Sequence, residues 1–292
     1  FAGMGGSGSI GDIFSAILSQ TKLHVTVVKG YTLPKTVDKN SLVVITSVSG
    51  NTVEALSILE QTKYLECNLI AASSGGKIEK ICNKNNIEYR KIKEYNSPRA
   101  SLVSFIYSML KILKFIIPIK EKDIIESIKN LKQLENGISS NNLTKSNEAL
   151  NLAKEISGIP LIYYPWGLQA AGIRFKNALQ ENAKMHAMVE DVVETSHNGI
   201  VAWEKKSEVL PILLQGDDDN IKTKERWQVL KIYFNENNIE YKEIISIKGN
   251  ILSKLIHLIY LLDYTSIYKA VISKIDPTPV KSIKFIKARL EE

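Results

Sequence analysis

The sequence predicts an α/β fold made of two doubly wound units in tandem, each a mainly parallel sheet flanked by helices. Three observations carry this. Short apolar, β-branched runs alternate with helical patterns, as βαβ units require. Several of those runs are continuously apolar rather than alternating, as strands covered on both faces are. The alternation stops near Pro98, gives way to almost continuous helix as far as Ser157, and restarts at Ile159. At 292 residues each unit is long enough to bury its own core. The expected division is an N-terminal domain over 1–140, with connecting helices, and a C-terminal domain over 141–292, without a readable internal repeat.

The chain opens on Phe1-Ala2-Gly3-Met4-Gly5-Gly6-Ser7-Gly8, abruptly, as though a first strand and helix had been truncated. Ile10, Ile13, Phe14 and Ile17 follow at i, i+3, i+4, i+7 and predict a helix over Ser9–Gln20. Strands are expected at His24–Val28, Leu42–Ser47, Asn68–Ala72 and Glu88–Ile92, with helices at Asn51–Thr62 and Lys77–Asn83. The middle region reads as helices Ser101–Ile117, Glu121–Ile138 and Thr144–Ile156, interrupted by Pro118 and the polar run Ser139–Asn142. The second unit follows as strand Pro160–Tyr164, helix Leu168–Lys184, strand Val209–Gln215, helix Lys222–Asn235, strand Glu240–Ile247 and helices to the end.

Composition narrows the function. Hydrophobic residues make up 44% and charged residues 24%, the balance of a soluble globular protein. The longest apolar stretch, read as Leu102–Ile117, is broken by Ser104, Ser108, Lys111 and Lys114, short of the roughly 20 apolar residues of a membrane span. No membrane partner is expected. The net charge of +7 comes from lysines scattered among glutamates, a solvated surface rather than a basic stripe, so no nucleic-acid partner is expected. Cys67 and Cys82 form neither a Cys-x-x-Cys nor a Cys/His cluster, which points to reducing cytoplasm and against structural zinc.

Gly3, Gly5 and Gly8 spell the G-x-G-x-x-G pattern of dinucleotide-binding turns. That fold also needs an acidic residue at the end of its second strand. Here the expected strand ends in Lys29-Gly30, and Asp38 lies in a proline-bearing loop. No dinucleotide, and no other cofactor, is expected. A second turn is more informative: after Leu42–Ser47 the chain reads Val48-Ser49-Gly50-Asn51-Thr52 and begins a helix. Ser47, Ser49 and Thr52 bring three hydroxyls to the unsatisfied N–H groups and positive dipole end of that helix, which is a cradle for phosphate. The plainer alternative makes Ser49 or Asn51 an N-cap. His186, Glu190, Glu194 and His197 fall at helical spacings that would suit a metal, but Met188, Val189, Val192 and Val193 between them point to a core-facing segment, and no metal site is expected.

The pairing of G-M-G-G-S-G with S-V-S-G-N-T resembles the sugar isomerase (SIS) domain. Ser97-Pro98-Arg99-Ala100, Gln180-Glu181-Asn182-Ala183-Lys184, Ser196-His197-Asn198 and Asp276-Pro277-Thr278-Pro279-Val280 followed by Lys287 narrow the resemblance to the tandem-SIS phosphoglucose/phosphomannose isomerases, over nearly the whole chain. Val48 departs from the bulkier residue usual in that turn and spares every hydroxyl. The resemblance implies a metal-independent aldose–ketose isomerase interconverting glucose 6-phosphate and mannose 6-phosphate with fructose 6-phosphate through an enediolate. It assigns Glu181 as base and Arg99 as the cation on the enediolate oxygens. His197 is the ring-opening group, donated by the neighbouring subunit of a homodimer, and Lys287 its helper, with Lys281 and Lys284 as nearby alternatives. Gly6, Ser7, Ser47, Ser49, Thr52 and Thr278 become substrate-binding residues, Thr278 near C1–C2. Two other readings are a phosphosugar-sensing regulator, disfavoured because no recognition helix is apparent, and an aminosugar-phosphate isomerase or deaminase.

Overall fold

The computed structural model describes residues 1–290, and the chain falls into two compact units: Phe1–Ile119 with the segment from Ser282 onward, and Lys120–Lys281. The first holds α1 (Gly6–Leu18), β1 (Leu42–Ser47), α2 (Val53–Thr62), β2 (Asn68–Ser73), α3 (Gly76–Lys84), β3 (Glu88–Lys91) and α4 (Leu102–Ile112). Among the described residues its sheet has the order β1-β2-β3, all parallel, with Leu42 opposite Asn68 and Ile70 opposite Glu88. β1 is buried from Val43 to Ser47, as a central parallel strand is. β3 carries Glu88, Arg90 and Lys91, charges suited to an edge. Ile45, Ile58, Leu59, Ala71 and Ile78 make the core between sheet and helices.

The expected strand His24–Val28 is reduced to one bridge, Val28 with Ala2, which also bridges Ile45 on its other side. The segment is extended and parallel: Val28 N–H donates to Phe1 O at 2.8 Å, Gly3 N–H to Val28 O at 3.2 Å, and the Phe1 amine to Thr26 O at 2.9 Å. It pairs with Phe1–Gly3 through these bonds and a single bridge rather than as a regular ladder. The order is therefore Val28, Ala2, β1, β2, β3, with the connections after Gly3 and after β1 leaving in opposite directions. The crevice at such a switch point is where open parallel sheets bind ligands.

The second unit holds α5 (Glu121–Ile138), α6 (Glu148–Glu155), β4 (Ile159–Tyr164), α7 (Gln169–Asn182), β5 (Met188–Asp191), α8 (Val192–Thr195), β6 (Val209–Gln215), α9 (Ile221–Glu236), β7 (Lys242–Ile245) and α10 (Ile251–Ile272). Its sheet runs β5-β4-β6-β7, again parallel throughout. α5 belongs here because it packs on α10 and α6. Asn147 anchors the turn between α5 and α6: fully buried, it caps α6 through Leu150 N–H at 2.8 Å and donates to Ile138 O at 3.1 Å and Asn142 O at 2.7 Å. The helix α11 (Lys281–Arg289) follows, with no buried residue.

Two sequence expectations change here. The longest apolar helix is α10, not the Leu102–Ile117 stretch, and by length and composition alone it would suit a bilayer. It is a core helix instead: Leu252, Leu255, Ile256, Leu258, Leu261 and Leu262 are buried, and it packs against α5, α6 and α7. Burial of each such side chain stabilises by about 1.5–3 kcal/mol. The run Met185–Asp191 is not helical either, since Met188–Asp191 pairs with β4 as an edge strand and α8 begins only at Val192. His186 and Glu190 therefore lack the shared helix face that their spacing implied.

Candidate functional site

In the first unit the glycine loop and the Ser47–Thr52 turn lie side by side at the switch point, and the chain closes each with glycine. Gly5 caps α1 with φ 52° and ψ −123°, a conformation closed to other residues. A Cβ on Gly3 would lie 2.8 Å from Thr46 Oγ1, and one on Gly8 2.8 Å from Gly3 O. The dinucleotide-like pattern is thus explained by packing of α1 against β1. Ser7 is buried, and its Oγ accepts from Val48 N–H at 3.2 Å, while Thr46 Oγ1 donates to Ser7 O at 3.2 Å. Gly6 and Ser7 open α1 beside the turn that precedes α2.

Within that turn the three hydroxyls divide. Ser47 is 1% exposed; its Oγ accepts from Gly50 N–H at 3.2 Å and shares a 2.9 Å bond with Thr52 Oγ1. It braces the turn from inside. Ser49 is exposed, accepting from Asn51 N–H at 3.3 Å, and Thr52 is half-buried at the N-cap position. Because the Thr52 hydroxyl bonds Ser47, it makes no cap bond to α2. Asn51 does not cap α2 either: its Oδ1 accepts from Lys77 N–H at 3.0 Å, at the start of α3. Hydroxyls and backbone donors therefore collect at the positive end of α2 without a cap from its own N-cap residue, where the helix dipole favours an anion.

A neighbouring loop, Ser73-Ser74-Gly75-Gly76, escaped the sequence reading although it repeats the strand–serine–glycine–helix pattern one strand on. Ser74 Oγ donates to Val48 O at 2.6 Å, and Ile78 N–H to Gly50 O at 3.0 Å. Gly50 has φ 67°, and a Cβ there would lie 1.8 Å from Gly75 O. The two loops are laced into one rigid floor. Arg99 sits in the turn before α4, half-buried; the turn is held by Ser101, whose Oγ accepts from Tyr95 N–H and donates to Ser97 O, both at 2.9 Å. Lys287 lies on α11 with Lys281 and Lys284 at three-residue intervals.

In the second unit Glu181 occupies the last turn of α7, half-buried. The helix is pinned to α10 twice, in its middle and at its end. Arg174, 5% exposed, meets Asp263 through Nε and Nη2 at 3.0 and 2.8 Å, and Asn182 Nδ2 donates to Ser266 Oγ at 2.8 Å. Burial alone works against the Arg174 charge, but Asp263, with a further contribution from Glu181, outweighs it and holds the guanidinium above its ordinary pKa. Thr278 lies in a tight turn, its N–H donating to Asp276 Oδ1 at 2.8 Å, a bond that holds the Asp276 carboxyl below its ordinary range. Lys184, which the sequence reading includes in the Gln180–Lys184 motif without a role, ties this turn to α7. His197 lies in an exposed turn after α8, its N–H donating to Glu194 O at 2.9 Å.

The chain is similar to known proteins. The family model described as the bacterial phospho-glucose isomerase C-terminal SIS domain matches residues 145–290. A bifunctional phosphoglucose/phosphomannose isomerase of Caldicellulosiruptor bescii is 31% identical over 99% of this chain and 88% of its own. One of Aquifex aeolicus is 29% identical over 100% of this chain and 90% of its own. Among solved structures, a tagatose-6-phosphate ketose/aldose isomerase from Escherichia coli superposes with a TM-score of 0.74 at 15% identity, covering 94% of this chain and 82% of that one, a likeness of fold. The chain belongs to the bifunctional phosphoglucose/phosphomannose isomerase family, built on the SIS fold.

Proposed function

We propose that this protein is an aldose–ketose isomerase that interconverts glucose 6-phosphate and mannose 6-phosphate with fructose 6-phosphate, without a metal or other cofactor. The observation that carries the reading is the hydroxyl-lined N-terminus of α2, without a cap bond from Thr52, in a chain of this family. There the phosphate accepts from Ser49, Thr52 and the first N–H groups of the helix, with Ser47 bracing the turn, Gly5 and Gly6 letting backbone approach the sugar and Ser7 contributing a hydroxyl contact.

The chemistry needs a base, a cation for developing charge, and a group to open the ring. Glu181 removes the proton from C2 of the aldose and returns it to C1 while the hydroxyl proton passes from O2 to O1, so that carbonyl and hydroxyl exchange places with no net loss of atoms. Arg99 stabilises the enediolate oxygens. His197, from the neighbouring subunit of a homodimer, moves the O1 proton to the ring oxygen with help from Lys287. Thr278, small and hydroxyl-bearing near C1–C2, leaves space for either epimer. The working division is a first unit that anchors the phosphate and a second, beginning at Lys120 rather than at the expected residue 141, that supplies the base, in a cytoplasmic enzyme.

Purified protein incubated with EDTA is expected to form fructose 6-phosphate from both glucose 6-phosphate and mannose 6-phosphate. Absence of turnover on both aldoses would remove the reading.

A further inference from the structure

Lys184 is the first residue beyond the cap of α7, and its backbone is left-handed, φ 55°. Glycine or asparagine takes that position most easily, because a longer side chain crowds its own carbonyl. The same place after α3 and after α9 is held by Asn86 and Asn238. A lysine that accepts this backbone is there for its side chain or in spite of it. The ammonium answers the question: Nζ donates to Glu181 O at 2.6 Å, to Pro279 O at 2.7 Å and to Pro277 O at 3.3 Å.

The three carbonyls are chemically distinct in origin. Glu181 O is one of the last carbonyls of α7, which the helix leaves without an intrahelical partner. Pro277 O and Pro279 O flank Thr278, and lie 93 and 95 residues along the chain. Each of those prolines lacks an N–H, so the turn has fewer backbone bonds of its own to hold it. Asp276 closes the turn from one side through Thr278 N–H. Lys184 closes it from the other and joins it to the turn of helix that bears the base.

We infer that Lys184 is a positioning residue for the isomerase reaction: its ammonium fixes the Asp276–Pro279 turn, and with it Thr278, against the Glu181 end of α7. The inference rests on the proposed function, and it names no contact of Lys184 with substrate. Its role is to keep the C1–C2 binding group in register with the proton-transferring carboxylate, where small displacements lower turnover more than binding.

Four proteins test this: wild type, Lys184→Gly, Lys184→Arg and, as a control that removes the other left-handed lysine, Lys274→Gly after α10. Glycine suits the left-handed backbone, so Lys184→Gly keeps its thermal midpoint while losing the tie. The Thr278 and Val280 amides are expected to exchange about tenfold faster in it. Its kcat is expected to fall by roughly tenfold or more with KM for fructose 6-phosphate nearly unchanged. Lys184→Arg restores much of that kcat, and Lys274→Gly alters neither exchange nor turnover. The inference is overturned if Lys184→Gly exchanges faster but keeps wild-type kcat, if it exchanges at the wild-type rate, or if Lys274→Gly loses as much turnover. A wild type that exchanges as expected but has no isomerase activity defeats the functional reading, and the positioning role with it, while the exchange difference shows the tie to be real.

Discussion

Two strand–turn–helix junctions invite comparison, one in each unit. At β1–α2 the turn carries Ser47, Ser49 and Thr52, and the helix begins without a cap bond from its N-cap side chain. At β6–α9 it reads Gly216-Asp217-Asp218-Asp219-Asn220, and the chain fills the helix end with its own acceptors. Asn220 Oδ1 accepts from Lys222 N–H at 2.9 Å, and the Asp219 carboxylate accepts from Gly216 N–H at 2.9 Å and Trp227 Nε1 at 3.0 Å. Burial pushes the Asp219 carboxyl up despite those bonds. The backbone offers much the same positive helix end at both places; hydroxyls leave it open to an external anion, whereas carboxylates occupy and repel.

If the first unit anchors the phosphate and the second performs proton transfer, substitutions in the two should separate into effects on KM and on kcat. The largest effect is expected for Glu181→Gln: about 10³-fold lower kcat, with little change in KM for fructose 6-phosphate in steady-state assays. A normal kcat would end the assignment of the base. Next comes Ser49→Asp, which copies the β6–α9 chemistry into the β1–α2 turn. Like charge opposite the phosphate costs several kcal/mol, so KM should rise about 100-fold or more. The thermal midpoint should hold or rise slightly, because a carboxylate suits the start of α2. An unchanged KM would place the phosphate elsewhere.

The reverse junction predicts stability without catalysis. Asp219→Ala leaves Gly216 N–H and the buried Trp227 Nε1 without their acceptor, so unfolding free energy should fall by about 1–3 kcal/mol while kcat and KM stay put; a loss of turnover in a folded variant would show that this end also serves the reaction. The smallest effect concerns His257 on α10, whose pKa burial lowers from its ordinary 6.5. Its folded value lies below the unfolded one, so the stability linked to its neutral form is complete above about pH 6.5 and is lost as pH falls through the folded value. His257→Gln should flatten denaturation midpoints measured across that acid range, and an unaltered pH profile would assign the dependence to other groups.

Much of this was legible from local pattern. β1, α5 and β6 begin and end where apolar runs and punctuation predict, since a buried parallel strand and a long amphipathic helix each write a clear period. β5 was not: four residues, two of them acidic, are too few to separate period 2 from period 3.6, and pairing with β4 decided it. The Ser47–Thr52 turn was readable because hydroxyls, glycine and a following helix adjoin in sequence. The Ser73–Gly76 loop carried a similar signal and was missed; Asn51 looked like a cap for its own helix and capped another.

The sequence by itself determined the α/β class, the two-unit rhythm and the family, because these are written in short-range periodicity and contiguous motifs. Only the tertiary structure decided that Ser47 faces inward as a brace, that α10 is a core helix, that Phe1–Gly3 lie between β1 and residues 24–28, and that Lys184 closes on Pro277 and Pro279. Each of those depends on partners that meet only when the chain is folded, where burial gives the Ser47 hydroxyl its role and fixed distance gives the exposed Lys184 ammonium its own.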